Sequence, residues 1–289
     1  MKMYLVRCIS VFMLAGDEFT NIIAANIKRI YSFTLFSIIF ISNISLHAQV
    51  KPELTDADKS SLEAIIVEKY YVSDSTDAAD TLGGLLAVGS TTYRIYIDMK
   101  PGYVLQAVYG NQKHELRIQT TTKFYNNTYC GALIGYNVNP LKVNKGNYAL
   151  DSWITINSAT TNHAGVLLSE DKDGSIIKIK QALSKADGLT DGNLPLIKPF
   201  NMGSFSCFKD ANASLFSTRN GGWGALSGFK AGSKGPTDAN QVLIAQLTTT
   251  GNLSFELNIQ IGTPSGGTVN YVAKNPEGSE IKFDALYRK

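Results

Sequence analysis

Residues 242–261, VLIAQLTTTGNLSFELNIQI, decide the fold class. From residue 253 to 261 apolar side chains alternate with polar ones, which is the period-two pattern of a β-strand with one buried face. Upstream, Leu243, Ala245 and Leu247 supply a second apolar face. The intervening Thr250-Gly251-Asn252 contains residues that tolerate the positive φ of tight turns. The pattern predicts a β-hairpin and a core made of sheets.

Other segments of the chain show β-propensity or alternation, with little room for helices between them. Strands are predicted at residues 62–72, 92–99, 103–109, 116–124, 151–156, 165–168, 205–208, 215–217 and 281–286. Pro101-Gly102 predicts a turn within an antiparallel meander, and residues 221–224, GGWG, predict a turn that carries an aromatic. Residues 176–185 fit either a short amphipathic helix or irregular chain. The sequence therefore predicts an all-β, mainly antiparallel β-sandwich, either one large sandwich or two small ones.

The first 48 residues have the features of a leader with a signal peptide. A basic pair, Lys28-Arg29, precedes an uncharged run rich in Phe, Ile and Leu, and Ala48 offers a small residue for cleavage. The run is shorter than the roughly 20 apolar residues that span a bilayer. We expect an exported protein with no membrane span after cleavage, located outside the cell, at its surface or in the periplasm. Residues 49–61 read as a linker, and residues 62–289 as a β-rich extracellular domain with possible halves at 62–168 and 200–289.

The charge balance argues against a nucleic-acid partner. Removal of the leader takes away four basic and two acidic residues, which lowers the formal net charge from +3 to +1. The remaining basic residues are scattered along the chain, and no basic patch of the kind that binds phosphate backbones is evident.

Two cysteines follow the leader, Cys130 and Cys207. In an oxidising compartment they predict a disulfide, which would close a loop of about 77 residues and stabilise the fold by roughly 4 kcal/mol. The alternative is a pair of buried free thiols. Neither cysteine lies in a CxxC motif or beside a histidine, so sulfur-based redox or metal chemistry is not indicated.

Four segments together carry a family resemblance: TYRIY at 92–96, AVYG at 107–110, DSWITI at 151–156 and VLIAQLTTTG at 242–251. On these segments the chain resembles a group of uncharacterised extracellular β-rich proteins of gliding Gram-negative bacteria. The resemblance spans most of residues 62–261. It implies secretion and a β-rich fold, and it implies no activity and no site residues.

Acidic loops suggest calcium as a possible cofactor, because secreted β proteins often bind it through carboxylate oxygens. Asp74, Asp77 and Asp80 form the densest acidic loop, and Asp187 with Asp191 is another option. The alternative reading is that these residues are ordinary turn residues, since Asp is common in turns.

Aromatic residues suggest a sugar-binding platform, because aromatic faces pack on the apolar faces of pyranose rings. Trp153 and Trp223 with Tyr109 are the leading candidates, and Asp151 shares the predicted strand face of Trp153. Trp153 alternatively covers a second sheet or a loop, whereas Trp223 in its glycine-rich turn is expected to be exposed.

No catalytic motif stands out. The chain has no HExxH, GxSxG or phosphate-binding loop, and His114 and His163 read as loop or strand-end residues. We therefore expect an exported, non-catalytic module that binds a glycan or a surface protein, or that has a structural role. A secreted polysaccharide hydrolase is one alternative, because two facing carboxylates are not visible in a sequence. An outer-membrane β-barrel is another, although the glycine-, asparagine- and aspartate-rich stretch at residues 169–203 fits it poorly.

Overall fold

A computed structural model describes residues 53–172, 174, 197–200, 207–208, 210–225 and 232–289. Two short helices are present there, α1 (Asp56–Lys59) and α2 (Ser75–Ala79). The strands are β1 (Leu62–Val72), β2 (Thr91–Met99), β3 (Val104–Gly110), β4 (Leu116–Thr120), β5 (Trp153–Ile154), β6 (Ile197–Phe200), β7 (Leu215–Thr218), β8 (Gly221–Ala225), β9 (Gln241–Thr249), β10 (Leu253–Glu256), β11 (Asn258–Gly262), β12 (Thr268–Val272), β13 (Ile281–Lys282) and β14 (Tyr287–Arg288). Single 3-10 turns occupy Gly135–Asn137, Pro140–Lys142, Tyr148–Leu150 and Asp284–Leu286.

One four-stranded sheet, which we call the central sheet, has the antiparallel order β1-β2-β9-β5. The remaining strands form a four-stranded sheet, β14-β10-β4-β7, and a six-stranded sheet, β13-β12-β11-β3-β8-β6. Only the short β12–β13 contact among these pairings is parallel. The prediction of an all-β, mainly antiparallel sandwich is confirmed.

The two outer sheets are two ends of one bent layer. Three chain segments, 104–120, 215–225 and 253–262, each give one strand to both of these sheets. The three strands stand in the same order in each sheet, β10-β4-β7 in one and β11-β3-β8 in the other. At the bend, the side-chain amide of Asn258 donates to the carbonyl oxygens of Tyr109 (3.2 Å) and Glu115 (2.9 Å), which replaces ladder bonds lost there. Gly110 also lies at the bend, where an added Cβ would come within 2.2 Å of the Thr218 carbonyl oxygen.

The central sheet is covered on both faces. Ile95, Ile97 and Val242 point from one face into the main core, which lies between the central sheet and the bent layer. Tyr96 and Leu243 point from the other face into a second core, which is closed by irregular chain from residues 130–167. Polar side chains that alternation would place on a solvent-exposed face are therefore buried in this sheet, and Arg94 and Gln246 are two examples.

The predicted hairpin at residues 242–261 is wrong in its pairing. Its first strand exists as β9, its second is divided at Leu257 into β10 and β11, and all five apolar residues at odd positions from 253 to 261 lie in the main core. However, β9 pairs with β2 and β5, whereas β10 pairs with β4 and β14. Residues 250–252 therefore carry the chain across the sandwich from one layer to the other. Pro101-Gly102 makes the same kind of crossing between β2 and β3, so these strands form no simple meander.

Other strand predictions fare unevenly. The strands at residues 62–72, 92–99, 103–109 and 215–217 are confirmed within a residue or so at each end. The predicted turn at residues 221–224 is wrong, because these residues form β8. The strand predicted at 165–168 is also wrong, since the carbonyl of Val166 accepts from the side chains of Arg94 and Tyr96 and not from a neighbouring strand. Residues 176–185 and 205–206 lie outside the described residues.

At the N-terminal side of the described chain, Thr55 and Asp58 form a reciprocal capping box around α1. In the central sheet, β9 from the second proposed half lies between β2 and β5 from the first, so residues of the two proposed halves share one sheet. Within the part of the chain that the structure describes, no helix is long and apolar enough to cross a bilayer.

Candidate functional site

A groove of about 280 Å³ opens on the surface beside the end of the central sheet. We call it the Asn126 groove. Four segments form it, namely the loop before β2, the segment after β4, residue 211, and the end of β9 with the residue after it. Its described lining residues are Gly84, Leu85, Leu86, Ala87, Ser90, Lys123, Phe124, Tyr125, Asn126, Thr128, Ala211, Thr249 and Thr250.

The loop that forms one wall follows α2 and is fixed at its ends. Two hydrogen bonds between Ser73, just before α2, and Ser90, at the end of the loop, close this segment of chain. The Ser73 backbone N–H donates to the Ser90 carbonyl at 2.9 Å, and the Ser90 N–H donates to the Ser73 hydroxyl at 2.9 Å. Between them the chain presents Leu82, Leu85 and Val88 to solvent, at 42, 76 and 62 % exposure. The loop is therefore anchored to the sheet while its apolar side chains remain available for contact.

Asn126 gives the groove its most specific polar feature. Its side-chain nitrogen donates to the carbonyl oxygens of Cys207 (3.0 Å) and Asp210 (2.7 Å). Because both partners are carbonyl acceptors, the atom that faces them is the amide nitrogen, and the other terminal atom of the Asn126 side chain is the acceptor Oδ1. That Oδ1 atom is buried and has no hydrogen-bond partner among the residues that the structure describes. A buried acceptor without a partner costs about 1–3 kcal/mol, which a ligand hydroxyl or amine would offset by donating to it.

Tyr125 supplies an aromatic wall beside Asn126 and is 8 % exposed. It packs with Leu86 and Leu150 in a small apolar cluster behind the groove. Its hydroxyl accepts a hydrogen bond from the side-chain nitrogen of Asn127 at 3.2 Å, which leaves the hydroxyl hydrogen for another acceptor. Burial raises the pKa of Tyr125, so the hydroxyl keeps its proton at physiological pH.

The electrostatic character of the groove is simple. Lys123 is exposed, and it is the one charged side chain among the described lining residues. No described lining residue is an aspartate or a glutamate. Among its described lining residues the groove thus combines one positive charge, the amide of Asn126, hydroxyl groups and apolar walls.

The two tryptophans predicted to contact ligand lie in different cores. Trp153 and Trp223 are both fully buried, Trp153 in the loop-covered core and Trp223 in the main core. The indole nitrogen of Trp223 donates to the carbonyl of Thr155 at 2.8 Å. Exposure of Trp223 was expected from its glycine-rich sequence, and that expectation is wrong because the glycines belong to β8. The alternative for Trp153, that it lies beneath a loop, matches the structure.

Asp151 is also fully buried, and it organises the chain beneath the groove. Its carboxylate accepts from the backbone N–H groups of Asn127 (2.7 Å) and Ala132 (2.6 Å). Burial raises the pKa of Asp151 to about 8, against the opposing effect of these N–H donors. Tyr109 is half-buried on β3, where burial, together with the charge of Glu280, raises its pKa to about 12. Neither residue lines the groove.

The aspartates proposed for calcium cap local structure. Asp74 accepts from the N–H groups of Thr76 and Asp77 at the start of α2, and Asp77 accepts from Asp74 N–H and the Tyr71 hydroxyl. Asp80 accepts from the backbone N–H of Leu82 at 3.1 Å. Among the described residues, no group of three or more His, Cys, Asp or Glu side chains is placed to hold a metal ion. Asp187 and Asp191 lie outside the described residues.

Cys130 and Cys207 are free thiols, so the predicted disulfide is not formed. Cys130 packs against the loop-covered core and Cys207 against the main core, which accounts for their separation. Burial raises the pKa of both thiols, to about 12 for Cys207. The alternative of two free thiols therefore agrees with the structure.

The histidines have local partners. His114 is 3 % exposed and its Nε2 lies 2.8 Å from an oxygen of Glu280, which joins the β3–β4 loop to the segment before β13. The Nδ1 atom of His163 lies 3.0 Å from the Thr160 hydroxyl. Each histidine fixes one loop, and neither lines the Asn126 groove.

Sequence reasoning missed the groove because its lining residues come from four separate segments. The available signal was the apolar, glycine-rich loop at residues 82–89, whose leucines have no strand or helix pattern to bury them. A comparison of the chain with protein-family models, with curated proteins and with solved structures gives no match.

Proposed function

We propose that the protein is an exported, non-catalytic binding module that holds a sugar residue of an extracellular glycan in the Asn126 groove. The observation that carries the proposal is Asn126, which lines the surface groove and whose buried Oδ1 atom has no hydrogen-bond partner among the described residues. Sugars offer many hydroxyl donors, and one such donor would satisfy this atom.

The size of the groove supports a small bound group. Its volume of about 280 Å³ is just below the range of about 300–1,000 Å³ that is usual for small-molecule sites. A terminal or branching sugar residue suits such a volume better than a long stretch of polysaccharide. The exposed side chain of Leu85 would pack on the ring, while Thr128 offers a hydroxyl group beside it.

The charge of the groove supports an acidic sugar. Because Lys123 is the one charged residue of the described lining, a carboxylate on the ligand would gain a favourable interaction and meet no like charge there. Uronic acids are the class of sugar residue that carries this group. We therefore propose that uronate-containing glycans bind better than neutral ones.

A surface protein is the second candidate partner. The exposed side chains of Leu82, Leu85 and Val88 favour it, since apolar residues grouped in one loop are typical of contact surfaces. The side chains of Asn126 and Lys123 in the groove favour the glycan, and both partners use the same loop.

The test is a binding screen of the purified, exported protein against soluble and insoluble polysaccharides, acidic and neutral, with and without calcium. Reducing sugar released is assayed in the same tubes. The proposal predicts retention on acidic polysaccharide, loss of retention in about 0.5 M salt, and no release of sugar. Release of reducing sugar would establish a hydrolase and contradict the proposal, as would absence of binding to every polysaccharide in the panel.

Lys123→Ala sharpens the test because this side chain is exposed and belongs to neither core. We expect the variant to bind acidic polysaccharide about three- to tenfold more weakly and to lose most of the salt dependence. Lys142→Ala, an exposed lysine outside the groove, is the matched control and should bind like the wild type.

A further inference from the structure

Asn127 joins two of the segments that form the Asn126 groove. Its side-chain nitrogen donates to the Leu82 carbonyl at 3.4 Å, in the loop before β2. The same nitrogen donates to the Tyr125 hydroxyl at 3.2 Å, in the segment after β4. The loop and the segment are therefore held together at one point, next to the residues that line the groove.

The side chain of Asn127 is itself fixed in place. Asn127 is 5 % exposed, and its backbone N–H donates to the carboxylate of Asp151 at 2.7 Å. Its side-chain oxygen accepts from the backbone N–H groups of Tyr129 and Cys130, at 3.0 and 3.1 Å. Rotation of this side chain would break hydrogen bonds at both of its terminal atoms, so it acts as a rigid group beneath the groove.

Gly83 makes the closest approach of the loop to this rigid group. Gly83 is buried, its φ is +88°, and its carbonyl accepts from the Thr128 N–H at 2.8 Å. A Cβ at this position would lie 2.2 Å from both terminal atoms of the Asn127 side chain. The loop thus lies as close to the segment after β4 as a residue without a side chain permits, and any larger residue at position 83 would push the two segments apart.

We propose that the contact between Gly83 and Asn127 sets the width of the Asn126 groove and makes it selective for uronate residues without bulky ring substituents. The selectivity rests on the function proposed above, because it concerns the same groove. A group such as an O-acetyl on the ring needs a wider groove, and the hydrogen bonds of Asn127 oppose widening. Discrimination of this kind comes from excluding the wrong ligand and not from an added attraction.

The experiment compares two ligands, an oligomer of galacturonic acid and the same oligomer carrying O-acetyl groups, by calorimetric titration. The wild type is expected to bind the unsubstituted oligomer about tenfold more tightly than the acetylated one. Gly83→Ala is expected to bind the unsubstituted oligomer about tenfold more weakly, because the apolar wall moves away from the ring, and to bind the acetylated oligomer within about threefold of the wild type. The preference therefore disappears, whereas general destabilisation would weaken binding of both ligands alike.

Gly89→Ala is the matched control for backbone strain. Gly89 lies in the same loop with a φ of +80°, is exposed, and has no atom within 4 Å of an added Cβ. It does not line the groove. Its substitution by alanine imposes a similar conformational strain without the contact to Asn127, so the preference for the unsubstituted oligomer should remain.

A second variant, Asn127→Ser, tests the contact from the other side if Gly83→Ala does not fold. Its hydroxyl can still accept from the backbone N–H groups that follow, but it cannot reach Leu82 and Tyr125 as the amide does, so the same loss of preference is expected. Amide hydrogen exchange at Thr128 in the ligand-free protein should be faster in both variants than in the wild type, since its bond to Gly83 joins the two segments.

The outcomes separate this proposal from the proposed function. Binding of both oligomers with equal affinity by the wild type would overturn the selectivity and leave the groove as a glycan site. The same holds if the variants keep the preference, if Gly89→Ala loses it as well, or if exchange at Thr128 is unchanged. Failure of the wild type to bind either oligomer or any other polysaccharide would contradict the proposed function, and the selectivity with it.

Discussion

The guanidinium carbon of Arg94 lies 3.5 Å from the ring centre of Tyr70, and both side chains are buried. Arg94 also donates to the Val166 carbonyl at 3.0 Å, and the Tyr70 hydroxyl donates to the carboxylate of Asp171. These contacts fasten residues 166–171 to the loop-covered face of the central sheet. A buried cation is stable only when it is well paired, and here the aromatic ring takes part of that role.

We predict a graded effect of substitutions at Tyr70. Tyr70→Phe loses the hydroxyl contact and keeps the ring under Arg94, so the free energy of unfolding should fall by about 1–2 kcal/mol. Tyr70→Leu also loses the cation–π contact and should cost about 3–5 kcal/mol. Urea denaturation of both variants measures the difference. Equal losses in the two variants would show that the ring does not stabilise Arg94.

We predict that Gly110→Ala disrupts the bend in the outer layer. The new Cβ would lie 2.2 Å from the carbonyl oxygen of Thr218. This oxygen is a backbone atom, so it cannot move aside as the end of a flexible side chain can. The expected loss is about 2–3 kcal/mol in the free energy of unfolding. Gly224→Ala in β8 is the matched comparison, because its nearest contact is the Gln106 carbonyl at 3.0 Å. It should lose clearly less, and the reverse order would contradict the role assigned to the bend.

The buried carboxyl of Asp151 predicts a pH dependence of stability. Its pKa is raised by burial to about 8 in the folded protein, against about 3.9 in the unfolded chain, so the folded state binds the proton more tightly. The stabilisation from this group is complete below about pH 4 and is lost as the pH rises towards 8, with a slope of at most about 1.4 kcal/mol per pH unit.

Comparison with Asp151→Asn isolates this contribution, because all other titrating groups are shared. The free energy of unfolding of the wild type minus that of the variant should decrease between pH 4 and pH 8. The measurement is urea denaturation at one-unit pH intervals. A difference that is constant, or that increases with pH, would show that Asp151 is ionised in the folded protein across this range.

The two free thiols predict slow reactivity in the folded state. Burial raises the pKa of Cys207 to about 12 and also raises that of Cys130, so little thiolate forms near neutral pH. We expect both residues to resist alkylation in the folded protein and to be alkylated fully once it is denatured without a reductant. Peptide mass mapping reads this out. A Cys130–Cys207 cross-linked peptide would contradict the separation of the two thiols described above.

Much of the sheet structure is predictable from alternation, because the period-two pattern from 253 to 261 reports burial directly. The pairing is not predictable in the same way, since residues 250–252 can equally turn a strand onto its neighbour or carry it to the opposite layer. The burial of Trp223 was missed because glycines that usually indicate a turn here allow close strand packing in β8. The burial of Arg94 on β2 is not predictable from alternation for a different reason: Arg94 is covered by chain more than seventy residues away in sequence.

The claim that the Asn126 groove binds a glycan is tested most directly by titrating one acidic polysaccharide into the wild type, Leu85→Ser and Leu141→Ser. The two leucines are similarly exposed, at 76 and 82 %, and Leu85 alone lines the groove. We predict that Leu85→Ser binds about tenfold more weakly, because a leucine side chain buried by ligand contributes roughly 1.5–3 kcal/mol. Leu141→Ser should bind like the wild type. Unchanged binding by Leu85→Ser, or an equal loss in both variants, would contradict the assignment of the groove.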